Sequence, residues 1–355
     1  MEDIIILIPA LNPPKDILLS YIKDLKKRGF NRILIVDDGS DDSFKDYFEK
    51  LKKDLEVDIF YHYKNYGKGR ALKNAFNYVL NYYDDFSYLI CADSDGQHRV
   101  EDIENIAKIC KNSNKDILYL GSRNFDEENV PFKSRYGNKL TSFFYKLMFE
   151  DRINDTQTGL RAISKKHMKD FLDLDGERFE YEINMLINAS KTGKEIKEIP
   201  IKTVYFDNNS ETHFNPIKDS AKIYGVMFKT FFKFFLSSIG SWLVDIGSFT
   251  IIQSLLSKVF TSFHPVIWIS TLLARMISGL FNFSINKNFV FDDDSKDKKI
   301  YLRYFILWLC QLILSAFLVD FVFSLVNMKS YFIKIIIDSL IFLLSFKIQE
   351  KYIFN

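Results

Sequence analysis

Residues 236–256, 265–285, 301–326 and 331–347 are four long apolar segments that fill the last third of this 355-residue chain. A helix needs about 20 residues to cross a hydrocarbon core of about 30 Å; the first three segments reach that length and the fourth is marginal. The expectation is an all-α, four-helix transmembrane domain over residues 236–355. All three tryptophans, Trp242, Trp268 and Trp308, lie in this region, as anchors at a membrane interface would. Lys287, Lys296, Lys298, Lys299 and Arg303 join segments two and three, whereas Lys258 alone joins one and two, and Lys329 alone joins three and four. Basic loops stay on the cytosolic side, so the asymmetry predicts a multi-pass protein of the cell (inner) membrane with both termini in the cytosol. Residues 216–235 interleave Lys218, Lys222, Lys229 and Lys233 with apolar side chains and read as an amphipathic juxtamembrane helix on an anionic surface. Asp245, Arg275, Asp320 and Asp338 fall within the predicted spans, where an unpaired charge costs roughly 3 kcal/mol on insertion scales. Arg275 is expected to pair with Asp245, either to meet a lipid phosphate or only to fix helix packing.

Residues 1–215 read as a separate domain, rich in charge and patterned as alternating short apolar runs and amphipathic stretches. Runs at 4–8, 32–36, 58–63, 88–91 and 117–120 predict strands, and apolar spacing of three and four over 17–27, 44–53, 71–82 and 103–110 predicts helices. That rhythm belongs to an α/β fold, in which ligands bind beyond the carboxyl ends of the strands. The apolar run at 4–8 is too short for a signal peptide and follows Glu2 and Asp3, so this domain is expected to remain where it is made. Forty-eight basic and 46 acidic residues nearly balance, which argues against a nucleic-acid partner held by bulk charge. Cys91, Cys110 and Cys310 are scattered and in no ligand spacing, which speaks against disulfides and against a zinc site.

Cys91-Ala-Asp93-Ser-Asp95-Gly-Gln97 leaves a predicted strand, where residues two apart point to the same side. Asp93, Asp95 and Gln97 offer only oxygen ligands, the set for Mg²⁺ or Mn²⁺, and a cation so held can bind a diphosphate; the plainer reading is a turn before a helix capped near Glu101. Asp37 and Asp38 end the second strand and can accept hydrogen bonds from a nucleobase or ribose, while Asp42 is expected to cap the next helix. Gly67-Lys68-Gly69-Arg70 opens the third helix, where bare backbone and Lys68 or Arg70 suit a phosphate; a simple loop-to-helix cap is the alternative. None of the five histidines forms a spaced pair, and His98 reads as a loop residue.

The ordered set Pro9-Ala10-Leu-Asn12, Asp37-Asp38-Gly39-Ser40, Gly67-Lys68-Gly69-x-Ala71, Asp93-x-Asp95-x-Gln97, Gly121-Ser-Arg123 and Asp155-Thr-Gln-Thr-Gly159-Leu-Arg161 resembles the family 2 glycosyltransferases, most of all the dolichol- and polyprenol-phosphate sugar transferases. Gly240, Asp245, Arg275 and the run from Asn282 to Phe291 resemble the GtrA-like membrane domain that is often fused to them. The resemblance implies a GT-A (Rossmann-like) domain and inverting, non-processive transfer of one hexose from a UDP- or GDP-sugar to polyprenyl (undecaprenyl) phosphate, supplying lipid-linked sugar for the cell envelope. It implies that Pro9, Ala10, Asn12, Asp37, Asp38 and Lys68 hold the nucleotide, and that Asp93, Asp95 and Gln97 hold Mg²⁺ or Mn²⁺. Arg123 and Arg135 match arginines that bind acceptor phosphate, with Asp155 shaping that end of the site. A phosphate acceptor is already anionic, so such chemistry needs positioning and charge balance more than a general base. Where the family has an acidic residue after the first-strand Asn, this chain has Pro13, so one nucleotide contact is expected to be missing. The Gln-x-x-Arg-Trp signature of processive synthases is absent, which favours transfer of a single sugar. Three other classes compete: a lipid-linked-sugar translocator whose first domain only binds its cargo; a nucleotidyltransferase, whose basic glycine-rich loop after the first strand this chain lacks; and a purely structural membrane adaptor, which would leave the ordered motifs as coincidence. Assembly into a homo-oligomer stays open.

Overall fold

The computed structural model describes residues 1–113, 115–126, 130, 132–149, 151–202, 218–259, 263–291, 297, 299–326 and 330–354. They form two compact units, Met1–Met227 and Phe228–Asn355. Pro216, Lys296, Lys298, Lys329 and the side chains of Trp268 and Asp320 lie outside the described residues.

The first unit is built on a seven-stranded sheet in the order β3-β2-β1-β4-β6-β5-β7. Strands β1 (Ile4–Ala10), β2 (Ile33–Asp37), β3 (Asp58–Tyr61) and β4 (Tyr88–Cys91) run parallel, while β6 (Arg161–Ser164) is antiparallel to both β4 and β5 (Ile117–Arg123). The last strand, β7 (Glu195–Ile201), is parallel to β5 and forms one edge. β1, β2 and β4 lie inside the sheet with helices on the faces, so both faces must be apolar; hence the unbroken runs Ile4–Ile8 and Ile33–Val36, every one nearly or fully buried. Helices α1 (Lys15–Lys27), α2 (Lys45–Leu55), α3 (Lys68–Tyr82) and α4 (Val100–Lys111) each follow a strand and bury one stripe, such as Leu18, Tyr21, Ile22 and Leu25 of α1. Helices α5 (Phe132–Phe149), α6 (Lys165–Phe171) and α7 (Glu180–Lys191) complete this unit, with the first turns of α8 (Lys218–Leu256). Tyr224 of α8 joins it through an edge contact with Phe144 and a hydroxyl contact with Thr141.

The structure extends the sequence expectation in several places. Helix α3 starts at Lys68, three residues before the predicted start, because Gly67 ends the loop and Ala71 N–H already donates to the Gly67 carbonyl. β6 escaped prediction: it is four residues long and opens with an arginine. β7 escaped because charged residues interrupt it along an edge, the adjacent Lys197 and Glu198 breaking the alternation begun by Glu195 and Ile196. No break separates a juxtamembrane helix from a first span, since α8 runs through residue 235 for 39 residues. At about 1.5 Å per residue that is about 58 Å, nearly twice a hydrocarbon core of about 30 Å.

The second unit contains the rest of α8, then α9 (Phe263–Ile285), α10 (Lys299–Leu325) and α11 (Ser330–Ile348), with π-helical turns at Asn286–Val290 and Gln349–Ile353. Apolar clusters such as Phe283, Ile300, Ile353 and Phe354 lie inside it, but polar side chains share that interior and the outside is apolar too. Ser237, Ser278, Asn286, Ser345 and Gln349 are buried, whereas Leu236, Leu272, Leu280 and Phe317 are each more than 60% exposed. Several interior polar groups pair with one another: Asn286 Nδ2 donates to Gln349 Oε1 at 2.9 Å and to Asn282 Oδ1 at 3.0 Å, and Gln311 Nε2 donates to Ser345 Oγ at 2.6 Å, while buried Ser270 Oγ has no partner among the described residues. An oily exterior around paired polar side chains is the arrangement that hydrocarbon selects. Among the described residues, α8 alone passes as a span by length and composition, with 6% of its most apolar window buried.

Phe76 of α3 is fully buried and stacks at a tilt on Tyr181 of α7, 6.5 Å between ring centres. Phe76→Ala is expected to destabilise the first unit by about 3–5 kcal/mol, read as a lower thermal midpoint of the detergent-solubilised protein.

Candidate functional site

The sheet brings the chemically distinctive residues to one edge. The carboxyl ends of β1, β2 and β4 point the same way, and β5 and the start of β6 meet them there. Cys91 of β4 lies opposite Arg161 of the antiparallel β6, so two residues further out Asp93 meets Gly159. The approach leaves no room for a side chain at 159 unless the Asp93 carboxylate moves. A Cβ on Gly159 would overlap Asp93 Oδ2 and fall 2.8 Å from its Cγ.

Asp93 is held by charge as well as by shape. The Lys68 ammonium lies 2.7 Å from Asp93 Oδ1 and 3.0 Å from Glu182 Oε1. Lys68 opens α3 and Glu182 lies in the first turn of α7, and the two helix starts abut because Gly69 has no side chain: a Cβ there would sit 2.6 Å from Tyr181 Cβ. Arg70 clamps the same junction, donating from Nε and Nη2 to Glu177 at 2.5 and 2.7 Å. Burial by itself would raise the Asp93 carboxyl, but Lys68, followed by His98 and Arg123, overcomes that and holds it below the ordinary carboxylate range. Burial and then the charge of Asp93 push Asp95 the other way, above that range. Burial would discharge Lys68, yet Asp93 and Glu182 keep it firmly protonated.

Asp93, held ionised, and its neighbour Asp95 offer carboxylate oxygens of the kind that suits a hard divalent ion. Gln97 meets them through its backbone, its N–H donating to Asp95 Oδ1 at 3.0 Å. His98, expected to be a plain loop residue, is buried beside them; Nδ1 accepts from Asp93 N–H at 3.2 Å, and burial lowers the imidazole to about 4, so it is neutral near pH 7. Among the described residues no three His, Cys, Asp or Glu side chains form a preformed cage. The two carboxylates of Asp93 and Asp95 are a donor set compatible with an ion of the Mg²⁺ type, which keeps few protein carboxylates and completes its shell with phosphate and water.

Arg123, at the end of β5, carries the next layer. Its Nε and Nη2 donate to Asp155 at 2.7 and 3.0 Å, and Asp155 is fully buried. Asp155 N–H and Asn154 N–H both donate to Glu198 Oε1 of β7, so the far edge strand fixes the turn that carries Asp155. Arg161, also buried, is spent on carbonyls of Thr158 and Glu182 and ties the same turn to α7. Arg135 lies half-buried on α5.

On the other side, Pro9 and Ala10 end β1, and Asn12 stands at φ 46 beside them. Asn12 N–H donates to Ser40 Oγ and its side chain exchanges hydrogen bonds with Asp41, which joins the loops after β1 and β2. Asp37 Oδ1 accepts from Ser40 N–H at 2.8 Å. Asp38 is committed inwards: it accepts from the Tyr66 and Gly67 amides and pairs with His62 Nδ1 at 2.6 Å, ordering the loop before α3. Asp42 does not cap a helix; it pairs with exposed Lys45 at 2.8 Å. Sequence reasoning missed Glu182, Glu177, Glu198 and His62, whose partners lie far away along the chain.

The second unit has its own open cavity, about 700 Å³, where Asp245, Arg275, Asn282, Gln311 and Asp338 share the lining with apolar side chains such as Trp308. As expected, Arg275 Nε approaches Asp245 Oδ2, at 3.7 Å, and Ser278 Oγ donates to Asp245 at 2.9 Å.

Residues 5–172 match the family model for glycosyl transferase family 2, and residues 233–354 match that for the GtrA/DPMS transmembrane domain. An uncharacterized protein of Methanocaldococcus jannaschii is 35% identical over 58% of this chain and 82% of its own length. The UDP-N-acetylglucosamine–dolichyl-phosphate N-acetylglucosaminyltransferase of Methanococcus voltae is 32% identical over 57% of this chain and 86% of its own. The dolichyl-phosphate beta-glucosyltransferase of Saccharomyces cerevisiae is 31% identical over 55% and 65% respectively.

Asp155→Asn leaves the Arg123 guanidinium without its buried counter-charge and is expected to cost about 3 kcal/mol of stability, measured as a drop in the thermal midpoint of the full-length protein; an unchanged midpoint would mean that the pair does not brace the edge.

Proposed function

The chain belongs to glycosyl transferase family 2 and carries a GtrA/DPMS transmembrane domain, and from this premise we propose that it transfers a single hexose, with inversion, from a UDP- or GDP-sugar to a polyprenyl phosphate, undecaprenyl phosphate in a bacterial membrane. The observation that carries the reading is the shared edge: Asp93 and Asp95 beyond β4 stand beside the Arg123–Asp155 pair beyond β5. One side of that edge suits a departing diphosphate, the other an arriving phosphate. The names of the Methanococcus and Saccharomyces relatives, both dolichyl-phosphate sugar transferases, support the same acceptor class.

In this reading Pro9, Ala10, Asn12 and Asp37 hold the nucleotide, and Asp38 shapes their surroundings through the 62–67 loop. Asp93 and Asp95, with Gln97, hold Mg²⁺ or Mn²⁺, whose contribution when bound is to balance the charge of the leaving diphosphate. Arg123 and Arg135 bind the acceptor phosphate, a guanidinium fork being suited to paired phosphate oxygens. Asp155 orients Arg123 and need not take a proton, because the acceptor oxygen is already anionic. The membrane domain, residues 236–355, is multi-pass with both termini cytosolic, residues 216–235 lead onto the bilayer, and residues 1–215 work at the cytosolic face. The loop charges and the apolar exterior of the helical unit support that topology.

The full-length protein in detergent, given radiolabelled nucleotide sugars, undecaprenyl or dolichyl phosphate and Mn²⁺, is expected to yield an organic-extractable labelled lipid that EDTA abolishes. Binding of the nucleotide sugar with no lipid product would instead favour a non-catalytic cargo domain serving a translocator. Asp95→Ala is expected to reduce turnover at least a thousandfold with the circular dichroism unchanged; full turnover would remove the metal assignment. Gly159→Ala, which forces the Asp93 carboxylate from its seat, is expected to lower turnover at least tenfold although it removes no functional group.

A further inference from the structure

Lys68 occupies the place beside Asp93 that a metal ion would contest. Its ammonium lies 2.7 Å from Asp93 Oδ1, and an ammonium is a compact point charge that repels a divalent ion bound to the same carboxylate. Glu182 Oε1, 3.0 Å from the same nitrogen, is buried and gives the ammonium somewhere to remain when it leaves Asp93. The backbone around this junction is fixed. Arg70 N–H donates to the Glu177 carbonyl, Arg70 and Lys73 both pair with the Glu177 carboxylate, and Gly69 packs on Tyr181. A shift of Lys68 from one carboxylate to the other is therefore a side-chain rotation, with no rearrangement of α3 or α7.

We infer that Lys68 is an internal counter-ion of Asp93 that competes with the divalent ion, that Glu182 is its second seat, and that the metal consequently binds weakly until a nucleoside diphosphate brings compensating negative charge. This rests on the metal reading proposed above. Metal and nucleotide then promote each other's binding, by the same factor in each direction. Lys68 and Glu182 act as positioning residues, setting the order in which the donor site assembles.

The test is a Mn²⁺ titration of the full-length protein in detergent, followed by electron paramagnetic resonance of the free ion, alone and with saturating UDP or GDP. In the parent protein the nucleotide is expected to tighten Mn²⁺ binding at least tenfold. Lys68→Met should tighten binding of Mn²⁺ alone at least tenfold and shrink the coupling to nucleotide. Glu182→Gln should act in the opposite sense, weakening Mn²⁺ alone at least threefold, because the ammonium is left with Asp93 only. Lys68→Met/Glu182→Gln removes one charge of each sign and serves if the single lysine variant does not fold; it too should bind Mn²⁺ alone more tightly than the parent. A purely structural salt bridge predicts lower stability for each variant and no opposed shifts in Mn²⁺ affinity. Unchanged or weaker binding in the lysine variants, with the parent binding Mn²⁺ normally, overturns this inference and leaves the metal assignment intact. A parent protein that binds no Mn²⁺ even with nucleotide overturns both.

Discussion

Keeping the Asp93 carboxylate ionised at the mouth of a buried sheet is the constraint on which the rest of the first unit depends. A charge so placed loses much of its hydration, and only nearby opposite charge and well-aimed hydrogen bonds restore the balance. Lys68 supplies the charge, and it reaches Asp93 because α3 begins at the end of the glycine-rich turn. That turn is in place because Asp38 gathers the Tyr66 and Gly67 amides, and α7 approaches closely enough to add Glu182 because Gly69 is bare. The antiparallel β6 then puts Gly159 against the carboxylate from the other side. Residues from four separate stretches of chain thus define the position of one side chain.

How much of this could be read from the sequence follows from how local each cause is. β1, β2 and β4 were legible because a strand covered on both faces must be an unbroken apolar run, and Asp93 and Asp95 were legible because they stand just past such a run. β6 and β7 were not, the first because four residues opening on Arg161 leave no pattern, the second because an edge strand carries charge on its wet side. Asp37 and Asp38 look equivalent in sequence. Only the folded loop separates them, turning Asp38 inwards to His62. Glu177 illustrates the general limit: its partner Arg70 is 107 residues away, and nothing near either residue announces the other.

The helical unit obeys the opposite solvent rule, and its sequence shows why average hydropathy is a poor guide. Ser237, Asn282, Asn286, Gln311, Ser345 and Gln349 dilute the apolar character of their helices, yet they face one another inside the unit. Leucine and phenylalanine cover the outside, and the same helices would expose that surface to water if the unit stood in solution. Asp245, set in apolar sequence, has polar company as well, since Ser278 donates to it and the largely exposed Arg275 approaches it.

The bare Cα at Gly159 makes this position narrowly tolerant of mutation. Most single-base changes in a glycine codon add a side chain, and none of those side chains fits against the carboxylate of Asp93. Any such change would have to be met by a movement of that carboxylate away from Lys68. The seat of one charged side chain is thus set by a neighbour that contributes no functional group of its own.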